Sequence, residues 1–236
     1  MKLALIGYGA MSRLVETQAE AAGDQVGIKV TSNESEQDVD ELAAMLRRHD
    51  VAVDFSVRPA VLRNIEACAL AGVPLVEGTT GWKDQESRGK EIVTEHASAL
   101  VYGANFSIGV NVFYRIVANA AKLFGGLDQY EVFIEEQHHS RKRDAPSGTA
   151  LKLKSLMAEF IKADIPTAST RAGHIPGTHR VGFDSAADQI TLTHTARSRE
   201  GFAAGALLAA RWIIGRKGVY EFSEVIGKIL KNRVDV

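Results

Sequence analysis

Short apolar runs alternate with amphipathic stretches along the first half of the chain. A continuous apolar run occurs at residues 3–6, and short, mainly apolar segments follow at residues 26–30, 51–55, 73–76 and 99–102. Such runs are typical of strands buried on both faces of a sheet. Apolar residues at helical spacing fill the intervals, at residues 14–22, 39–46, 59–71 and 91–97. The pattern predicts βαβ units, a parallel sheet and right-handed crossovers.

The second half of the chain has a different pattern. Helical spacing predicts helices at residues 109–123, 153–161 and 202–214. Strands are predicted at residues 130–135, 181–183 and 189–195. Because few helices separate these strands, we expect an antiparallel or mixed sheet.

Together the two patterns predict an α/β chain of two domains. The first is a Rossmann-type, dinucleotide-binding domain with a parallel sheet, over residues 1–106 and about 207–236. The second is an α+β domain with a mixed sheet, over about residues 107–206. The last helices are therefore expected to return to the first domain.

A glycine turn lies between the first predicted strand and its helix. Gly7 permits the tight turn, and Gly9 lets backbone amides approach a pyrophosphate at the helix N-terminus. Ser12 stands where the dinucleotide-binding pattern has its third glycine. The turn predicts cofactor binding by the whole segment, and an ordinary strand–helix turn is the alternative. The segment is Gly7, Tyr8, Gly9, Ala10, Met11 and Ser12.

The end of the second strand bears on the choice of cofactor. Sites for NAD usually place an acid there, whereas this chain has Lys29, Thr31 and Ser32, with Glu34 a little further on. A lysine and two hydroxyls favour a 2′-phosphate, and hence NADPH, although solvated loop residues would discriminate little. Both NADPH and NADH therefore stay open as cofactors.

Two more loops follow predicted strands at the edge where open α/β sheets bind ligands. Their small residues would let the backbone approach a cofactor ring, and ordinary turns are the alternative. The loops are Gly78, Thr79, Thr80 and Gly81, and Gly103, Ala104, Asn105 and Phe106.

Composition excludes several classes of protein. The 28 Lys and Arg residues balance 29 Asp and Glu residues, which argues against a nucleic-acid binder. Cys68 is the one cysteine, so an intrachain disulfide is excluded and a reducing compartment is expected. Apolar runs are too short for a membrane span or a signal sequence. We expect a cytoplasmic protein with no membrane partner.

Two histidines and three basic residues fall within residues 138–143 of a chain whose net charge is −1. Histidine donates a proton near neutral pH, and Lys142, four residues past His138, supplies a fixed positive charge. Ser147-Gly148-Thr149 then opens a helix whose N-terminus suits a carboxylate. The segment predicts a small dicarboxylate bound beside an acid catalyst, although a chance histidine pair is the alternative.

No metal site is expected from the sequence. No carboxylate or cysteine stands at convincing zinc spacing from the histidines that would form it. Those histidines are His138, His139, His174 and His179.

Residues 136–150 resemble the signature of the 4-hydroxy-tetrahydrodipicolinate reductases, also called dihydrodipicolinate reductases, of lysine and diaminopimelate synthesis. Segments around residues 6–11, 54–56, 78–81, 104–110, 193–194 and 202–206 stand in that family's order. The resemblance implies that His138 is the general acid and that Lys142 binds and polarises the substrate. It also implies that His139, Ser147, Gly148 and Thr149 hold the substrate.

The same resemblance implies cofactor contacts from residues 7–12, 78–80 and 103–106, and a homotetramer formed through the sheet of the substrate-binding second domain. Arg141 and Arg143 are expected to contribute general electrostatics only. Ser12 and the missing acid depart from the family pattern and leave cofactor affinity and preference open. Two rival hypotheses remain, another NAD(P)-dependent amino-acid dehydrogenase and a non-catalytic NAD(P)H-binding sensor.

Overall fold

The computed structural model describes residues 1–31 and 38–234, with side chains through residue 231. Contacts divide the chain into two compact units. Unit 1 comprises Met1–Ile108 and Arg199–Val236, and unit 2 comprises Gly109–Ser198. Ser32 and Glu34, near the predicted cofactor site, lie outside the described residues.

The described strands and helices follow one another in a regular order. The strands are β1 (Lys2–Ile6), β2 (Gln25–Val30), β3 (Val51–Asp54), β4 (Leu75–Glu77), β5 (Ala99–Tyr102), β6 (Glu131–His138), β7 (Thr167–Arg171), β8 (Thr178–Asp184), β9 (Gln189–Thr195) and β10 (Gly218–Glu221). The helices are α1 (Ala10–Ala21), α2 (Val39–Leu46), α3 (Val61–Ala71), α4 (Glu86–Glu95), α5 (Ile108–Phe124), α6 (Gly148–Met157), α7 (Glu200–Ile213) and α8 (Phe222–Val234).

Unit 1 contains a six-stranded parallel sheet in the order β10-β5-β4-β3-β1-β2. Its central strands are mainly apolar on both faces because helices cover both, and every residue of β3 is buried, including Asp54 at its end. The strand order reverses between β1 and β3. Open α/β sheets bind ligands at such a switch point, outside the carboxyl ends of the strands.

Helix α7 packs unusually close to the rest of unit 1 at Gly205. A Cβ atom at this position would lie 1.7 Å from the carbonyl oxygen of Phe106, so the contact admits no side chain. The ring of Phe106 in turn packs against Phe55 and Phe222, with centroid distances of 6.2 and 4.6 Å. The C-terminal segment is thereby part of the core of unit 1.

Unit 2 contains a four-stranded mixed sheet in the order β7-β6-β8-β9. Strand β6 pairs in parallel with β7 and antiparallel with β8, which pairs antiparallel with β9. Helices α5 and α6 bury an apolar stripe against this sheet, a mixed arrangement as the sequence predicts. The buried residues include Phe113, Val117, Leu153, Met157, Val181 and Phe183.

The apolar pattern missed two strands and misplaced several boundaries. Strand β7 has the polar, largely exposed sequence of an edge strand, and β10 is a four-residue segment without a continuous apolar run. Helix α4 begins at Glu86 rather than near residue 91. The apolar pattern missed its first residues because they are mainly polar and charged. The chain was predicted to re-enter the first domain at about residue 207, which lies inside α7. The contacts assign the chain to unit 1 from Arg199 onward.

Across the described part of the chain, we find no helix with the length and apolar character required for a membrane span.

Candidate cofactor and catalytic sites

A cavity of about 400 Å³ opens in unit 1 at the carboxyl ends of β1, β3 and β4. This is the switch point of the sheet, so three consecutive strand-end loops meet there. Its lining includes Arg199, which precedes α7. The strand-end residues that line it are Gly9, Ala10, Met11, Phe55, Ser56, Val57, Arg58, Gly78, Thr79 and Thr80.

The glycine turn leaves its backbone open toward this cavity. Gly7 has φ +73°, and a Cβ atom there would lie 2.6 Å from the Cα of Ser56. Beyond it, a Cβ atom on Gly9 would meet nothing within 4 Å. Helix α1 starts at Ala10 without a side-chain cap or an acid in its first turn. Free amides and a positive helix end fit the pyrophosphate of a dinucleotide.

Ser12 serves the turn itself. Its side chain is buried, and its hydroxyl donates a hydrogen bond to the carbonyl oxygen of Gly7. The hydroxyl is therefore engaged by the turn and does not face the cavity. The serine replaces the packing that the third glycine would provide, while adding one bond to the turn.

Tyr8, Glu16 and Lys29 form a polar cluster beside the glycine turn. The Glu16 carboxylate accepts a hydrogen bond from the Tyr8 hydroxyl and forms an ion pair with Lys29, which lowers the pKa of Glu16. The Lys29 ammonium also lies 4.8 Å from the centroid of the Tyr8 ring, and Arg13 lies 5.4 Å from it. Two cations therefore lie beside the Tyr8 ring, and one of them, Lys29, stands on β2 two residues before Thr31.

The other two predicted cofactor loops differ from each other. Gly78 is required because a Cβ atom would lie 2.1 Å from the Phe55 ring, and Thr79 and Thr80 reach the cavity. The loop from Gly103 to Phe106 is outside the lining of this cavity. Phe106 is buried there, and Ala104 is exposed. The Asn105 carboxamide accepts a hydrogen bond from the amide of Ser107.

In unit 2, the alternation of β6 brings two polar side chains into the interior. Val132 and Ile134 face the core, and Glu136 and His138 continue the same face. Glu136 has no exposed side-chain surface, and His138 is nearly as buried. Both polar residues therefore occupy core positions of the strand.

One oxygen of the Glu136 carboxylate is saturated with donors. Its Oε1 accepts from the Ser147 amide at 3.0 Å, the Ser169 hydroxyl at 2.7 Å and Arg171 Nη2 at 2.6 Å. Burial raises the pKa of Glu136, but these bonds outweigh burial and bring it to about 2. The group is therefore a fixed carboxylate at neutral pH.

The other oxygen of Glu136 faces two imidazoles. Oε2 lies 3.2 Å from His138 Nδ1 and 3.7 Å from His179 Nε2. Burial lowers the pKa of His138, whereas Glu136 raises it and Lys142 lowers it. Burial, followed by the neighbouring His138, lowers the pKa of His179 to about 4. His179 is thus neutral, and its Nε2 lies 3.1 Å from the Ser147 hydroxyl.

Glu136, His138 and His179 also place three potential metal-ligating atoms within 4.8 Å of one another. Linear spacing did not reveal this carboxylate neighbour, because His179 pairs with Glu136 across β6 and β8. The expectation of no metal stays a prediction.

The loop after β6 carries a second charged group. Lys142 Nζ lies 2.8 Å from Asp144 Oδ1, and this contact, with a further bond from the Gly148 amide, lowers the pKa of Asp144. Helix α6 begins at Gly148 with Ser147 as its N-cap, whose hydroxyl accepts from the Ala150 amide at 3.2 Å. A carboxylate therefore already sits between a lysine and a helix start.

The remaining predicted substrate residues surround this helix start. His139 is half-buried, and Gly148 is exposed, with nothing within 4 Å of an added Cβ atom. The Thr149 hydroxyl interacts with the hydroxyl of Tyr114 on α5. Arg141 and Arg143 are exposed, and Arg171 was not anticipated from the sequence.

Comparison with known proteins places the whole chain in one family. Residues 1–106 match the family profile described as dihydrodipicolinate reductase, N-terminus, and residues 109–226 match the profile for its C-terminus. The chain belongs to the dihydrodipicolinate reductase family.

Relatives of this reductase family support the assignment over nearly the full length. A 4-hydroxy-tetrahydrodipicolinate reductase from Christiangramia forsetii is 37% identical over 98% of this chain and 100% of its own. One from Anaeromyxobacter dehalogenans strain 2CP-1 is 37% identical over 88% of this chain and 80% of its own. The predicted family and an oxidoreductase enzyme are thus confirmed.

A solved structure confirms the predicted fold class. The dipicolinate-bound dihydrodipicolinate reductase from Paenisporosarcina sp. TG-14 has a TM-score of 0.75 and 20% identity, covering 94% of this chain and 97% of that one. The likeness includes a parallel sheet with helices and a second mixed sheet.

The geometry of this dihydrodipicolinate reductase family member also includes residues that sequence reasoning missed. In unit 1 these are Phe55 to Arg58, which directly follow β3, and Arg199, which precedes α7. In unit 2 the alternation of β6 points to Glu136, because it lies on the same face as His138. Arg171 and His179 had no comparable signal, since strand pairing brings them to Glu136.

Proposed function

We propose that this chain reduces 4-hydroxy-tetrahydrodipicolinate to tetrahydrodipicolinate with NAD(P)H, in diaminopimelate and lysine biosynthesis. A hydride and a proton enter the substrate, and its hydroxyl leaves as water. The observation that carries the proposal is the buried Glu136–His138 pair. In the chain it is followed by Lys142, whose ammonium contacts the Asp144 carboxylate, and by the start of α6. A proton source and a carboxylate site are both needed for this dicarboxylate.

His138 is proposed as the proton donor. The Glu136 carboxylate, 3.2 Å from His138 Nδ1, favours the charged imidazolium electrostatically, while burial opposes it. Such a balance keeps the proton available for transfer instead of holding it tightly. Glu136 itself cannot serve as the acid, because its pKa is about 2.

Lys142 and the N-terminus of α6 are proposed to bind a substrate carboxylate. Asp144 marks this anion position, since its carboxylate contacts Lys142 Nζ and the Gly148 amide. A substrate carboxylate would take the place of Asp144 and gain the same charge and amide donor. His139 and Thr149 flank the position in sequence and are proposed to bind the rest of the substrate.

The cofactor, when bound, supplies the hydride from its nicotinamide ring. The residues that fit it are those of the glycine turn and of the cavity, because Gly7 and Gly78 admit no side chain and Gly9 leaves its backbone open. The Ala10 and Met11 amides would bind the pyrophosphate. Tyr8 and the loop from Gly103 to Phe106 stay predicted contacts.

We further propose a preference for NADPH over NADH. Arg13 and Lys29 both lie within 6 Å of the Tyr8 ring, near the end of β2 where the adenosine ribose binds in Rossmann folds. The Glu16 carboxylate neutralises part of this charge, so the preference should be moderate. NADH remains a usable cofactor because neither cation is needed for the hydride itself.

Replacing Lys29 with alanine is expected to lower kcat/KM for NADPH about tenfold, equivalent to the loss of one exposed phosphate contact. The value for NADH should change less than threefold, because NADH lacks the 2′-phosphate. Steady-state kinetics with both cofactors measures the ratio, and Lys90→Ala on α4 is the control for loss of a surface lysine. An equal fall for both cofactors would remove Lys29 from this role.

The reaction is tested by coupling the purified protein to dihydrodipicolinate synthase. NADPH or NADH oxidation should depend on that enzyme's product, and dipicolinate, bound by the Paenisporosarcina relative, should compete with it. Oxidation or reduction with free amino acids instead would favour the amino-acid dehydrogenase hypothesis. Cofactor binding without any turnover would favour the sensor.

The role of Glu136 is tested by Glu136→Gln, which keeps its shape but removes its charge. We expect kcat to fall about tenfold or more, because the imidazolium loses its counter-ion. Since Glu136 raises the pKa of His138, the fall of kcat/KM with rising pH should move to lower pH. Glu135→Gln, on the opposite face of β6 with its ion pair to Arg180, is the matched control. If kcat/KM of Glu136→Gln falls with rising pH over the same range as in the wild type, Glu136 is only structural.

The homotetramer and the cytoplasmic location stay predictions. Light scattering on the purified protein tests the first, with a mass about four times that of the 25.5 kDa chain expected.

A further inference from the structure

Two carboxyl groups that the proposed reaction does not use are buried together in unit 1. Asp54 ends β3, Glu77 ends β4, and the two residues are paired in the sheet register. Neither has any exposed surface. Within residues 1–31 and 38–231, no cation forms an ion pair with either group. Two adjacent buried carboxylates without a counter-ion would be strongly unfavourable.

The hydrogen bonds around the pair leave one oxygen unmatched. Asp54 Oδ1 accepts from the Ser56 amide at 2.7 Å, and Oδ2 accepts from the Asn64 carboxamide at 2.6 Å. Glu77 Oε1 accepts from the Thr79 amide at 2.6 Å. Glu77 Oε2 is buried and receives no donor from the described residues. A proton on this oxygen would convert it into a donor to Asp54.

The neighbours of the pair support a proton on Glu77. Burial raises the pKa of both groups; the charge of Asp54 and the bond between the carboxyls raise the pKa of Glu77 further, whereas that bond lowers the pKa of Asp54. Burial, then both acids, raise the pKa of the Cys68 thiol on α3. Tyr102, opposite Glu77 on β5, directs its hydroxyl to Glu86.

In the described part of the chain, the remaining elements around the pair bring no ion-pairing partner to either carboxyl group. Arg63 on α3 is directed to the Asn64 carboxamide oxygen, at 2.7 Å from Nη2. Helix α7, which packs on β3 and β4, buries alanine, glycine, leucine and isoleucine side chains.

We propose that Asp54 and Glu77 share one proton, carried by Glu77, and that this pair positions the loops after β3 and β4 for cofactor binding. The amides held by the pair belong to Ser56 and Thr79, both of which line the cavity. The Ser56 amide also lies 3.1 Å from the Thr79 hydroxyl, which ties the two loops together. The inference rests on the proposed binding of NAD(P)H in unit 1.

Loss of the shared proton should weaken cofactor binding. A second negative charge would repel Asp54 from Glu77 and disturb both loops, and it would also repel the phosphates of the dinucleotide. The dissociation constant for NADH should therefore rise with pH above the pKa of the pair, by up to about tenfold per pH unit for one linked proton. NADH is the suitable probe because it lacks the titrating 2′-phosphate.

The deciding variant is Glu77→Gln, whose amide donates to Asp54 at every pH. We expect NADH binding like that of the wild type at pH 6.5, measured by calorimetry. At pH 9.5 the variant should bind NADH more tightly than the wild type. Glu91→Gln on α4 is the control for loss of an exposed acid. Infrared spectra of the wild type at neutral pH should contain a protonated-carboxyl band that Glu77→Gln lacks.

Stability gives a second readout with the same sign. A carboxyl whose folded-state pKa is raised destabilises the fold as pH rises from its unfolded value, near 4.5, to its folded value. Glu77→Gln removes that penalty, so its melting temperature at pH 8 should equal or exceed that of the wild type. A variant acting only through lost packing should melt lower.

The outcomes separate the proposals. If the wild type binds neither NADH nor NADPH, the proposed function fails. If it binds but shows no protonated-carboxyl band, or if Glu77→Gln keeps the wild-type pH dependence, only the shared proton is refuted. Should Glu77→Gln not fold, the wild-type infrared titration decides, since the band must disappear over the pH range in which affinity falls.

Discussion

Replacing His138 with glutamine is expected to lower kcat by about 10²–10⁴-fold, the usual contribution of a general acid. Glutamine fills a similar volume but cannot transfer a proton to the substrate at neutral pH. Binding of NADPH or NADH should be unchanged, because the proposed cofactor residues belong to unit 1. Stopped-flow or steady-state assays measure the loss, and calorimetry measures cofactor binding. His174→Gln, an exposed histidine of the same unit, should retain wild-type turnover.

The pH dependence gives an independent check on the same residue. An acid catalyst works while it is protonated, so kcat/KM should fall as pH rises through the pKa of His138. Burial lowers this pKa from its ordinary value of 6.5, so the fall should begin on the acidic side of that value in the free enzyme. Wild-type turnover in a folded His138→Gln protein would overturn the assignment of the acid.

Replacing Lys142 with alanine is the second large effect, with a loss in kcat on the order of 10² or more. The lysine charge is proposed to bind a substrate carboxylate and to polarise the reacting group. Its removal should also raise KM, because a substrate carboxylate then loses the cation that Asp144 contacts in this structure. Steady-state kinetics with the product of dihydrodipicolinate synthase separates kcat from KM.

Lys152→Ala, one turn into α6 and exposed, is the matched control for Lys142. Its kinetic constants should stay within about twofold of the wild type, because screened surface charges contribute little. If Lys142→Ala folds and turns over like this control, Lys142 is not part of the substrate site. Circular dichroism and melting temperature establish the fold of both variants.

The fold was largely predictable because unit 1 has a strong local pattern. Strands buried on both faces of a parallel sheet are mainly apolar, so residues 3–6 and 51–53 stand out. The glycine at residue 7 was also informative, because its backbone approaches Ser56 too closely for a side chain. Strands β7 and β10 were missed since edge strands need no apolar run.

The candidate site was predictable only where its residues are neighbours in sequence. His138, Lys142 and Ser147 lie within ten residues, so their chemistry is visible in one segment. Glu136 required attention to the two-residue period of β6. Arg171 and His179 reach Glu136 through pairing of β6 with β7 and β8, and the register of such pairing is not written in either segment alone.

The ion pair between Lys142 and Asp144 gives this enzyme a built-in occupant for the proposed anion position. An incoming ligand must displace that occupant, so a single carboxylate exchanges one contact for an equivalent one and gains little. A dicarboxylate makes the same exchange and still has a second charge to bind elsewhere. Asp144 would thus favour a doubly charged ligand and, by returning to Lys142, speed release of the product. It would do both without touching the reacting carbon.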